Sequence, residues 1–200
     1  MLSSASATPL QAVSKPSNET DEVLMLRYRN GETAAFEQLY VRHKGALYRY
    51  CLRQCSTTAV AEELFQDVWL KVINARANYT AQARFTTYLY RLAHNRLVDY
   101  YRAQSRTIPA VDCNDAEWTA IPTPACEQPE QQAERRGQAE QLLQLLNALP
   151  ETQREAFLLR EEGGLSLDAI AEVTGVNRET AKSRLRYAVA KLRQGLGALA

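Results

Sequence analysis

Apolar residues recur at intervals of three and four along two stretches of this chain, from Phe36 to Tyr100 and from Leu142 to Leu192, and between them the pattern fails from Thr107 to about Pro129. Such spacing gathers each apolar set on one stripe of an α-helix, and the alternation of a half-buried strand is nowhere sustained. The prediction is an all-α protein with two helical domains, an N-terminal helical bundle and a C-terminal helix-turn-helix, joined by a flexible linker. The 200 residues, 46% of them apolar, suffice for one large or two small cores, and the break favours two.

Residues 1–20 are dominated by Ser, Thr, Pro and Ala and read as a disordered tail. They lack a basic start followed by an apolar run, and no later segment is long enough to cross a bilayer, so the sequence reads as cytoplasmic, without membrane insertion. The first domain is placed at 21–106. It opens with a helix over Asp21–Asn30 closed by Gly31, followed by a long helix with Phe36, Leu39, Tyr40, Leu47, Tyr50 and Cys51 on one side. A third helix follows the cap signal Ser56-Thr57-Thr58 and turns Ala61, Leu64, Phe65, Val68 and Val72 inward, with Trp69 and Ile73 widening the stripe. A fourth runs from about Thr86 to Ala103. Over 107–133 the pattern fails among Pro109, Pro122, Pro124 and Pro129, which marks the linker. Helical spacing resumes at Gln131, and the second domain is placed at 134–200, with a restart after Pro150 at the first turn of another helix.

The balance of 24 Lys plus Arg against 23 Asp plus Glu conceals a segregation. Five basic residues between Arg84 and Arg106 face only Asp99, and six between Asn177 and Arg193 face only Glu179. Between these islands, six acidic residues from Pro109 to Glu134 have no basic partner. Two basic surfaces joined by an acidic strap point to a polyanion as partner. The cysteines Cys51, Cys55, Cys113 and Cys126 form no CxxC pair, and Cys51 and Cys55, one turn apart, are read as core filling rather than as metal or redox groups.

The segment from Ser166 to Leu185 reads as a helix-turn-helix. Ser166 can cap a short helix, Ala171 is small where two helices cross, Gly175 supplies the positive φ of a tight turn, and Asn177 caps the next helix. That helix turns Ala181, Leu185, Ala188, Val189 and Leu192 inward and presents Glu179, Lys182, Ser183 and Arg186 on another face. A polar, basic face at a helix start suits the major groove, where base edges offer donors and acceptors and the flanking phosphates carry negative charge. The plainer alternative is a helical hairpin with a solvated face.

In the first domain, Arg91, His94, Asn95, Asp99 and Arg102 line up opposite the apolar stripe of the fourth helix, beside a polar loop over 74–87 that contains Tyr79 and ends at Phe85. Aromatics, amides and arginines around a loop suit unstacked single-stranded DNA. A solvated polar face beside core aromatics is the competing reading.

The run from Ala61 to Val72, the run from Phe85 to Arg102, the stretch Leu149-Pro150-Glu151-Thr152-Gln153-Arg154-Glu155-Ala156-Phe157 and the segment from Thr180 to Leu185 together resemble the second and fourth regions of extracytoplasmic-function sigma factors, a group of the sigma-70 family of bacterial RNA polymerase. The likeness implies a non-enzymatic factor that binds core RNA polymerase at the clamp helices of its β′ subunit and directs it to promoter DNA. Its first domain would melt and capture the −10 element and its second would read the −35 element. It further implies that Glu63, Gln66, Asp67 and Leu70 form the polymerase-docking surface and that Asn95, with Arg91 and Asp99, serves a pocket for a flipped −10 base. Lys182, Ser183, Arg186 and Tyr187 fall at −35 reading positions, while Arg178 and Arg184 stand better for phosphates. An anti-sigma factor, in many relatives held in the membrane, is the further partner implied. Tyr88 stands where the family usually has tryptophan, and Ala181 where it usually has valine.

Two other classes compete with this reading. A helix-turn-helix repressor or activator would dimerise and bind a palindrome without polymerase. An enzyme would need a catalytic constellation, yet His43 and His94 are the only histidines, no phosphate-binding glycine loop appears, and Glu62, Glu63 and Asp67 are poorly arranged to hold Mg²⁺. No cofactor, metal or small-molecule substrate is expected.

Overall fold

The structure, a computed structural model, describes residues 19–107 and 129–197. The predicted tail up to residue 18 and the middle of the predicted linker, with Cys113, Cys126, Pro109, Pro122 and Pro124, lie outside the described residues. Among those described there are α-helices and one 3₁₀ turn but no strand, and no helix is long and apolar enough to cross a membrane.

The first unit is built from α1 (Asp21–Arg29), α2 (Thr33–Gln54), α3 (Thr58–Asn74), the 3₁₀ turn Arg76–Asn78 and α4 (Phe85–Thr107). Thr20 caps α1 and Thr57 caps α3, each accepting from the backbone N–H three residues on, and Asp21 and Glu22 lie in the first turn of α1, where the helix dipole favours negative charge. Gly31, at φ 101°, makes the turn between α1 and α2 that a side chain would strain. The start of α4 is closed from a distance: the Phe85 N–H donates to Glu22 Oε1 at 2.7 Å. Each helix packs on the next, and α1 also reaches α4. Inside lie Leu24, Met25, Leu39, Leu47, Val68, Phe85 and Leu89, all fully buried, each contributing about 1.5–3 kcal/mol. Tyr28, Phe36, Tyr40, Phe65 and Trp69 form a contiguous ring cluster with centroids 4.8 to 6.4 Å apart.

The second unit comprises α5 (Pro129–Asn147), α6 (Glu151–Glu161), α7 (Leu167–Thr174) and α8 (Arg178–Gly197), with α5, α6 and α7 all laid against α8. Pro129 is the first residue of α5, where its missing N–H costs nothing, so helix begins two residues before the resumed periodicity at Gln131 and inside the predicted linker; α4 likewise runs on to Thr107. Pro150 precedes α6 as its cap residue rather than entering its first turn.

The break in the sequence predicts two cores, and here the structure differs. One buried cluster runs from the first unit into Ala156, Leu158, Leu159, Leu165, Ile170, Val173 and Ala181 of the second, because α6 lies on α2 and α7 on α4. A small separate cluster of Leu146, Leu149, Ala188 and Leu192 forms where α5 meets α8. Periodicity shows that a helix has an apolar face but not which helix covers it.

Candidate nucleic-acid interface

The helix-turn-helix is assembled by the residues that predict it. Ser166 Oγ accepts from the Ala169 N–H at 3.2 Å, Gly175 adopts the left-handed conformation at φ 66°, and Asn177 Oδ1 accepts from the Thr180 N–H at 2.7 Å. Ala171 is buried at the crossing, and Ala181, Ala188 and Leu192 are buried along α8, with Leu185 and Val189 half-buried. At the position where the family usually has valine, Ala181 is wholly enclosed, so the close approach of helices leaves no surface there unfilled.

This packing turns the opposite side of α8 to solvent. Glu179, Lys182, Arg186 and Tyr187 are exposed, and Ser183 and Arg184 are half-buried at the edge of the face. Lys182 Nζ lies 3.5 Å from Glu179 Oε2, and the Arg186 guanidinium lies over the Tyr187 ring at 5.1 Å. Tyr187 is 52% exposed, an unusual exposure for a large ring. Arg178 bends back to Asp168 of α7 at 2.9 Å and so stands at the rim. Exposed pairs of this kind are weak and exchange readily for phosphate contacts.

On α4 the predicted polar face is divided. Asn95, Asp99 and Arg102 are exposed, whereas Arg91 and His94 turn to the second unit: Arg91 Nη1 lies 3.3 Å from Glu172 Oε1, and His94 Nδ1 lies 2.6 Å from Glu155 Oε1. Tyr79 and Phe85, read from the sequence as rings for unstacked bases, are core residues instead. Tyr79 is 5% exposed with its ring edge-on to Tyr88 at 5.4 Å, and its carbonyl accepts from Arg29 at 3.1 Å. Phe85 is wholly buried against His43 and Tyr88, because as the first residue of α4 it extends the apolar stripe one turn back from Leu89. Tyr88, where the family usually has tryptophan, is the half-buried ring that closes over both.

A third surface lies on α3. Glu63, Gln66 and Leu70 are exposed and Asp67 half-exposed, at the spacing that shares one helix face; Leu70 is a 52% exposed aliphatic among them. Sequence reasoning missed Arg96 of α4, which spans this face by donating to Asp67 at 2.6 Å and to Glu63 at 3.1 Å. It also missed the contacts of Glu155 and Glu162 with the first unit. The available signal was Glu155 itself, a carboxylate three and four residues before the buried Leu158 and Leu159 and therefore on an inward stripe.

Cys51 and Cys55 are buried free thiols, and burial pushes both up to about 12, which holds them protonated and unreactive at neutral pH.

Two family models match along the chain: Sigma-70 region 2 over residues 39–107, and Sigma-70, region 4, over residues 139–192. RNA polymerase sigma factor CarQ of Myxococcus xanthus is 32% identical over 88% of this chain and 97% of its own length. The chain belongs to the extracytoplasmic-function sigma factors of the sigma-70 family. The ECF RNA polymerase sigma-E factor of Escherichia coli K12 is 29% identical over 83% of this chain and 88% of its own length. Among solved structures, the fold of this sigma factor is similar to that of CnrH, solved in complex with the cytosolic domain of CnrY, with a TM-score of 0.65 and 22% identity over 91% of this chain and all of that one. It is equally similar, at 0.65 and 24% identity over 82% of this chain and 98% of the other, to the sigma factor RpoE of Bartonella quintana, solved with the anti-sigma factor NepR. The sigma factor's role is promoter-directed initiation of transcription by RNA polymerase, with region 2 in the first unit and region 4 in the second.

Proposed function

We propose a division of that role among three faces. The exposed side of α8 reads the −35 element, with Lys182, Ser183, Arg186 and Tyr187 at base edges, Glu179 on the same face, and Arg178 and Arg184 at phosphates. The α4 face of Arg91, Asn95, Asp99 and Arg102 receives the opened −10 strand. The α3 face of Glu63, Gln66, Asp67 and Leu70 docks on the clamp helices of core polymerase. In this reading the −10 and docking unit spans 21–106, the connection 107–133 and the −35 unit 134–200. The chain acts as a non-enzymatic factor in the cytoplasm. It is held in reserve by an anti-sigma factor, as the Bartonella relative was solved with one.

The observation that carries this reading is the α8 face: basic and aromatic side chains exposed behind a turn that Gly175 and Asn177 fix, in a segment that matches region 4. A preformed helix start bearing such side chains supplies the donors that major-groove recognition requires. The test is run-off transcription with purified core polymerase and a promoter library, beside a charge-reversed Glu63→Lys/Asp67→Lys variant. The parent initiates at a subset of promoters as a monomer, and the variant loses core binding with unchanged circular dichroism. A parent that ignores core polymerase and binds a palindrome as a homodimer is a repressor instead.

A further inference from the structure

The loop that leads into α4 is strung between two buried rings. Tyr79 and Phe85 are 5% and 0% exposed, whereas Thr80, Ala81, Gln82, Ala83 and Arg84 between them all stand in solvent. This span belongs to no helix, and within it the Gln82 N–H donates to the Thr80 carbonyl at 2.9 Å. An exposed stretch of this kind takes its shape from whatever fixes its ends.

Both ends are fixed by α1. Arg29 Nη1 donates to the Tyr79 carbonyl at 3.1 Å, and Glu22 Oε1 accepts from the Phe85 N–H at 2.7 Å. Glu22 and Arg29 stand seven residues, or two turns, apart, and Met25 between them on that side is wholly buried. Arg76, in the 3₁₀ turn just before the loop, lays its guanidinium over the Tyr28 ring of α1 at 5.4 Å. The Glu22 carboxylate also sits at the positive end of the α4 dipole, where helix N–H groups lack intrahelical acceptors, so this contact is charge-assisted. The anchoring helix is itself held. Thr20 caps it, and Asp21 meets Arg42 of α2 at 2.7 Å and His43 at 2.8 Å. His43 in turn lies against Phe85, with ring centroids 5.4 Å apart.

The loop presents a hydroxyl at Thr80, an amide at Gln82 and a guanidinium at Arg84. Asn95 stands about 15 Å further along α4 than Phe85, so a strand lying on the α4 face also runs past the loop. We infer that Glu22 and Arg29 are positioning residues for −10 capture: from α1 they hold the loop over 80–84 in the shape that the opened strand meets. This rests on the assignment of α4 to that strand. Both side chains are engaged by the loop's own backbone, so they act through the loop rather than on DNA. A loop fixed in advance discriminates between bases, whereas a slack one adapts to the wrong base at little extra cost.

The test compares Glu22→Ala and Arg29→Ala, each as the full chain assembled with core polymerase, on promoters recovered by the run-off selection and on derivatives with one −10 base substituted. Both variants should keep the parent's circular dichroism and core affinity. The ratio of initiation rates between the recovered and substituted −10 sequences should fall about tenfold, while the ratio for −35 substitutions stays at the parent's value. Glu22→Gln keeps a neutral acceptor for the Phe85 N–H and should recover most of the lost ratio. In the free protein, trypsin should cut after the exposed Arg84 several-fold faster in both alanine variants. Should Glu22→Ala lose helical content, Arg29→Ala and Glu22→Gln carry the test. Alanine variants that keep the parent's −10 ratio overturn the inference, as do variants that lose −10 and −35 discrimination together with core affinity, which marks a general loss of fold. Tryptic cleavage unchanged at Arg84 removes the anchors and leaves the α4 reading intact. A parent indifferent to −10 substitutions overturns that reading and the inference with it.

Discussion

Asn95 stands exposed on α4 between Arg91, which the second unit engages, and Asp99, which it leaves open. Its amide can pair with a base edge only after that base has left the stack, so its contribution belongs to strand opening and capture rather than to duplex binding. Asn95→Ala should leave circular dichroism and core affinity unchanged yet slow initiation on a duplex promoter. A template with a pre-opened −10 bubble separates the steps, since full rescue there marks a melting defect and persistent loss marks failed capture. Normal initiation on both templates removes Asn95 from the mechanism. Legibility at this scale depended on whether a side chain's role is local. The caps Ser166 and Asn177 and the turn at Gly175 could be read directly, because each acts within three or four residues of itself. Tyr79 and Phe85 could not, because what buries them comes from elsewhere: Arg29 holds the Tyr79 carbonyl across 50 residues of chain, and His43 of α2 lies against Phe85.

At the scale of elements, α8 does two jobs on opposite sides. Its alanines let α6 and α7 approach, and that approach fixes the outward direction of Lys182, Arg186 and Tyr187. Lys182→Ala and Arg186→Ala should each cost about 1–3 kcal/mol on a specific duplex and relax preference at one or two positions if these side chains read base edges. Arg184→Ala, half-buried at the rim, should weaken specific and random duplexes alike and flatten the salt dependence. Binding isotherms at several salt concentrations check both, and equal losses on all sequences for all three would leave α8 a backbone clamp. The helices themselves were legible to within a few residues, because amphipathic spacing and caps are properties of one segment. Their ends were less so: α4 extends past Ala103 to Thr107, and α5 starts at Pro129, where a proline reads as punctuation but serves as a first helical residue.

For the whole molecule, the sequence break and the shared core make opposite predictions about unfolding. Two independent domains would melt separately, each reporting only its own mutations. The structure places Leu158, Leu159 and Ile170 of the second unit in one buried cluster with Leu47, Tyr50 and Leu89 of the first, while the cluster private to α5 and α8 is small. Removing side-chain volume from α6 should therefore be felt in α3. Leu159→Ala, at a wholly buried site, should cost about 2–5 kcal/mol through lost burial and the cavity left behind. Trp69 of α3 is a suitable reporter, because the chain has two tryptophans and Trp118→Phe leaves Trp69 alone. In that background, Leu159→Ala should lower the denaturant midpoint seen by Trp69 fluorescence as far as the midpoint seen by circular dichroism, with the two curves coincident as one cooperative transition requires. A Trp69 curve that stays put while circular dichroism shows an early partial loss would mean that the units fold independently and that their contact adds little to the stability of either.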